Sequence, residues 1–126
     1  KWTLAIEYLM IGNKDNFIIL TYLIGGIMTL KIAWFDINIK FKNDVKLNGV
    51  NVDGYFSPRE KEILIDDKLP KHMKEKVLIH ELVHAMLFAF GRYDYDDENL
   101  VDAIASGILT LLKDNKEEVT KVMLDI

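Results

Sequence analysis

The chain contains no cysteine in 126 residues, which excludes a disulfide scaffold and every cysteine-based zinc site. Histidine and carboxylate are left as the strong metal ligands. An intracellular location is compatible with that composition. Also lacking is an excess of positive charge. Sixteen Lys and Arg against 20 Asp and Glu give a formal charge of −4, spread without long runs, so no basic face points to nucleic acid. Nor is there a full membrane span. The uncharged, apolar-rich run Phe17 to Leu30 falls short of the roughly 20 residues a spanning helix needs and is interrupted by Gly25-Gly26. It also makes a poor signal peptide, because its basic region is Lys14 offset by Asp15 and no small-x-small cleavage site follows.

Three readings of this N-terminal run stand: a core element, a weak membrane anchor, or a translated leader ahead of a start at Met28. Codons for Gly25-Gly26 just before Ile27-Met28 can carry a purine-rich ribosome-binding site, so the leader is favoured and residues 1–27 are set aside. Residues 28–126 are then expected to form one domain. Half of the full chain is hydrophobic and 29% is charged, an ordinary globular balance that can bury about two-thirds of the unfolded surface.

Against these absences stands His80-Glu81-Leu82-Val83-His84, a HExxH motif. On a helix, His80 and His84 lie one turn apart on one face, and two imidazoles at that spacing can share one Zn²⁺. Glu81, beside the first histidine, can reach a water on that metal. The flanking residues, Val77 to Ile79 and Leu82 to Phe90, are apolar nearly all round the helix, which marks it as buried. Two histidines and a carboxylate in such a place cost several kcal/mol unless something satisfies them, and a metal does so. The plainer alternative is a core pair of histidines hydrogen-bonded to backbone or carboxylate, with a solvated Glu81. With only three histidines in the chain, the motif arises by accident roughly once in a few hundred such sequences.

Period-two alternation makes Leu30–Lys42 a strand. Asn48-Gly49 and Asp53-Gly54 mark turns, and Tyr55-Phe56 and Ile63 to Ile65 read as two strands joined by a tight loop. The motif helix is expected from Pro70 to Phe90, stopped by Gly91. A second helix follows from Glu98 to about Lys113, capped by Asp96 or Asp97, and a short amphipathic one covers Lys116–Ile126. Strands followed by helices give an α+β fold.

A catalytic zinc needs a third protein ligand and an open position. His72 is eight residues before His80, roughly 12 Å along a continuous helix, so it is too far away. A carboxylate must serve. Asp102 is preferred, because the small residues Ala103, Ala105, Ser106 and Gly107 after it allow close approach of the two helices. Glu98, one turn earlier on the same face, is the other candidate through its longer reach. Whichever is not a ligand can orient a histidine.

Taken together, Ile63-Leu64-Ile65-Asp66, Leu69-Pro70, Val77 through Ala85 with HExxH, and Asp97 through Ala105 resemble small zinc peptidases of the ImmA/IrrE type, closest to short phage and prophage forms. The likeness spans roughly Leu30 to Asn115. It implies a minimal zincin-like domain, a mainly antiparallel sheet packed on the HExxH helix. It also implies zinc held by His80, His84 and Asp102, with Glu81 as catalytic base, although the family more usually has Glu where this chain has Asp102. The activity implied is cleavage of a specific cytoplasmic protein, for some members a transcriptional repressor.

Glu81 would take a proton from zinc-activated water, and Tyr93 or Tyr95, the latter preferred, would steady the oxyanion with its phenol. The strand Glu62–Asp66 is expected at a sheet edge, where an extended peptide can add. Manganese, iron or cobalt can occupy the same ligands. The competing reading is a zincin-like module that keeps structural zinc and binds a partner protein without cutting it. A weaker one is a peptidase anchored to a membrane through residues 17–30.

Overall fold

The computed structural model describes residues 27–124. Apart from Ile27, the expected leader lies outside these residues. The chain runs β1 (Ile27–Ile32), β2 (Phe35–Lys42), β3 (Lys46–Leu47), β4 (Val50–Asn51), β5 (Gly54–Ser57), β6 (Glu62–Asp66), α1 (Lys71–Ala89), α2 (Glu98–Asp114) and α3 (Lys116–Leu124). The fold is α+β, with a mixed, mostly antiparallel sheet of four strands in the order β1-β2-β6-β5. The β1–β2 and β5–β6 pairs are antiparallel, and one parallel pairing, β2 with β6, joins them. Among the described residues no helix is long and apolar enough to cross a membrane.

Two expectations need correction. The single strand predicted over Leu30–Lys42 is a hairpin, with Ile32 opposite Phe35 and Ala33-Trp34 at the turn. Ala33 there takes a left-handed φ of 54°, without the Gly or Asn that usually marks such a position. A phase slip betrays the turn: from Met28 the large apolar residues fall on even positions to Trp34 and on odd positions from Phe35 to Phe41. The second correction concerns β6, which is interior. β5 is the free edge on that side, since β6 is flanked by β2 and β5.

Helix α1 lies across one face of the sheet. Met28, Ile37, Ile39, Phe41, Ile63 and Ile65 from the strands and Leu78 and Ala85 from the helix make one buried cluster. The inward residues of β2 alternate with Asn38, Lys40 and Lys42, so the sheet is apolar towards α1 and polar towards water. Gly54 sets the approach of helix to strand. A Cβ there would lie 2.7 Å from Val77 Cγ1 and 2.8 Å from the Leu64 carbonyl oxygen.

On its other side α1 packs against α2 through Val83, Val101 and Ala105. The ends of α1 follow local chemistry. Pro70 precedes the helix, and Gly91, at φ +77°, closes it. The Gly91 N–H donates to the Phe88 carbonyl and the Arg92 N–H to that of Leu87, the paired bonds of a Schellman stop. Asp97 caps α2, its carboxylate accepting from the Leu100 N–H at 3.1 Å.

Candidate metal centre

One turn of α1 places His80 and His84 on the face that meets the start of α2. Their Nε2 atoms are 3.3 Å apart and their rings meet edge to face. The Glu98 carboxylate closes the triangle, with Oε2 at 3.0 Å from His80 Nε2 and Oε1 at 2.8 Å from His84 Nε2. Asp102, one turn further along α2, takes the opposite nitrogen of His80, with Oδ1 at 2.9 Å from Nδ1. His84 is treated similarly, its Nδ1 donating to the main-chain carbonyl of Tyr95 at 2.5 Å. Among the described residues, two sets of side chains are close enough to hold an ion, His80–Glu81–His84 and His80–Glu98–Asp102.

The hydrogen-bond partner fixes one tautomer. A carbonyl oxygen only accepts, so His84 Nδ1 must carry its proton. His80 lies between two carboxylates, Asp102 at Nδ1 and Glu98 at Nε2, and with its proton on the Asp102 side both Nε2 atoms of the neutral rings are bare. Two lone pairs and an ionised carboxylate converge on one point with no proton between them, an arrangement that repels itself unless a cation or added protons intervene. The spacing suits a cation. Two nitrogens bound tetrahedrally at about 2.0–2.1 Å from zinc lie about 3.3 Å apart. The residues therefore fit a zinc ion.

Glu81 is buried, with its carboxylate 4.0 Å from His80 Nε2. Burial pushes its pKa above the ordinary carboxylate value; His84 and His80 pull it back, Glu98 pushes it up, and a backbone hydrogen bond from Phe56 lowers it. Phe56 lies on the free edge of the sheet, so β5 runs directly beside the motif glutamate. The α2 side is more open, with Glu98 and Asp102 about two-thirds exposed, at 65% and 66%.

The structure thus brings His80, Glu81, His84, Glu98 and Asp102 together and leaves His72 exposed and in neither ligand group. Asp102, the expected ligand, meets His80 Nδ1 while Glu98 faces both Nε2 atoms, and both carboxylates belong with His80 to one group that could hold an ion. Tyr93 is 99% exposed. Tyr95 meets the site through its carbonyl, and its ring packs edge-on against Phe88. Sequence reasoning missed the Tyr95 carbonyl and the Phe56 backbone, and no signal announced them, since every residue has these groups. Comparison with protein-family models, with curated proteins and with solved structures finds no match.

Proposed function

We propose that this protein is a zinc-dependent metallopeptidase of the small ImmA/IrrE-like kind, with His80, His84 and Glu98 as ligands and Glu81 as general base. Asp102 and the Tyr95 carbonyl hold the two imidazoles in the metal-binding tautomer. The observation that carries this reading is the convergence of both Nε2 atoms and one carboxylate beside a buried glutamate. When bound, zinc supplies a Lewis acid for the scissile carbonyl and lowers the pKa of a coordinated water to about 7.

The chain's own residues do the rest. Glu81 accepts a proton from the attacking water on a carboxylate oxygen and delivers it to the leaving amine nitrogen. Its burial raises its proton affinity and so brings it closer to a working pH near neutrality. The substrate class is an extended peptide segment of a specific protein, with repressors of phage or host origin as candidates. The free edge of β5 offers the pairing surface. Tyr55 and Ser57 pair with Leu64 and Glu62, and the Asp66 N–H donates to the Asp53 carbonyl, so the Gly54 backbone and the Phe56 carbonyl face outward while the Phe56 N–H is taken by Glu81.

The test begins with zinc per chain, by elemental analysis, on protein purified without chelators. About one zinc in wild type is expected, abolished in Glu98→Ala and kept but weakened in Asp102→Ala. Loss in Asp102→Ala with retention in Glu98→Ala would reverse the two carboxylates' roles. Glu81→Gln is expected to keep the zinc and lose peptide cleavage by 10²-fold or more, roughly the contribution of a general base. Zinc-dependent partner binding that survives Glu81→Gln, with no turnover in wild type, would instead indicate a binding module.

A further inference from the structure

Both backbone groups that hold the site, the Tyr95 carbonyl and the Phe56 main chain, belong to residues whose rings rest on the same side chain, Phe88. Its ring centroid is 5.4 Å from that of Tyr95, at 71°, and 5.6 Å from that of Phe56, at 58°. Phe35 from the β2 end of the first hairpin closes the group at 5.6 Å. Lys61, itself at a left-handed φ of 54°, lays its ammonium 5.2 Å from the centroids of both Phe35 and Phe88 and donates to the Pro58 carbonyl at 2.6 Å. Phe88 follows His84 by four residues, so it projects from the same face of α1, one turn on.

We propose that Phe88 is the positioning residue of the metal centre. Its ring anchors the rings of Tyr95 and Phe56, and thereby sets where their main-chain groups meet His84 and Glu81. The inference rests on the metallopeptidase reading. Aromatic pairs in tilted and edge-on geometry stabilise beyond the area they bury, so each favours one arrangement of the segments it joins. Besides these ring contacts the 92–97 connection is held by the Arg92–Asp94 ion pair, by the Arg92 N–H on the Leu87 carbonyl and the Asp97 N–H on the Asp94 carbonyl, and by the Asp97 cap, none of which fixes the Tyr95 ring. Tyr95 then serves through its ring and its carbonyl, and its hydroxyl is dispensable for holding the metal.

The experiment uses the full chain and two readouts besides turnover: zinc affinity by chelator competition, and the visible absorption of the Co²⁺-substituted protein, which reports coordination geometry. Phe88→Leu and Tyr95→Ala are each expected to weaken zinc binding about 10- to 100-fold, as loss of an outer-shell support does, and to alter the Co²⁺ bands. Tyr95→Phe, which keeps the ring, is expected to restore the affinity and spectrum of wild type. Tyr95→Ala changes a loop residue and leaves the carbonyl in place, so it remains informative if Phe88→Leu does not fold. Wild-type affinity and spectrum in a folded Tyr95→Ala would overturn the proposal while leaving the metallopeptidase reading intact. Failure of the wild-type chain to bind zinc or Co²⁺ would overturn both.

Discussion

Helix α1 packs in two directions, and the chemistry of the two packings differs. Towards the sheet, Leu78 and Ala85 meet Met28, Ile37, Ile39, Ile63 and Ile65, all apolar and almost wholly sealed from water. Towards α2, a small apolar patch of Val83, Val101 and Ala105 shares the interface with His80, His84, Glu98 and Asp102. The first face carries the stability. The second spends only part of its area on burial and holds its polar groups at a water-accessible seam, where a charged ligand can be reached and exchanged. One helix thus gives the chemistry a rigid backing without burying it.

The comparison is most easily broken on the sheet side. Ile65→Ala is expected to cost about 2–5 kcal/mol, measured by urea denaturation, because a fully buried side chain leaves a cavity. Glu98→Ala in the metal-free protein is expected to change stability by roughly 0.5 kcal/mol or less, as exposed charges generally do. Equal costs for the two would contradict the division of labour. Next in size is Gly54→Ala, expected to lose about 1–3 kcal/mol by forcing β5 away from Val77. Because β5 also contacts Glu81, peptide cleavage is expected to fall more than zinc content.

Smaller, and opposite in sign, is Glu81→Gln in the metal-free protein, expected to gain about 1 kcal/mol and raise Tm by roughly 4 °C at neutral pH. The fold holds the Glu81 pKa above its unfolded value, so the two states bind protons equally below the ordinary carboxylate range and again above the raised value, and differ only between them. As pH rises through the elevated value the wild-type fold loses stability that the glutamine variant keeps. The gap should open across that window and then level off; a constant gap from acid to neutral pH would remove burial as the cause. Smallest is Trp34→Ser, expected within about 0.5 kcal/mol of wild type, since that ring is 92% exposed at the hairpin turn.

Much of the helical half was legible because its signals are local. Pro70, Gly91 and Asp97 mark ends that backbone chemistry fixes by itself, and HExxH needs nothing but the helical period to converge. Asn48-Gly49 likewise forms its turn with both residues at positive φ. What escaped depends on distant parts of the chain. The Ala33-Trp34 turn has no turn residue and shows only as a slip in alternation, and the interior place of β6 follows from its parallel pairing with β2. Helical spacing puts Asp102 and Glu98 on one face of α2, but which of them meets Nε2 is set by the rotation of α2 against α1. Spacing within a single helix does not contain that angle.

The parallel pairing also bears on how the molecule assembles. The sheet is two hairpins, β1–β2 and β5–β6, each with a short connection, stitched along a single seam that aligns Ile39 with Ile63. Hairpins of this kind close in about 1–10 μs, whereas a seam between distant strands must first offset a larger loop entropy. The expected order of events is two independent hairpins, then docking of α1, then closure of the seam. On that route the hairpins are already formed when the seam closes, so weakening either hairpin turn slows folding and leaves the rate of unfolding nearly unchanged.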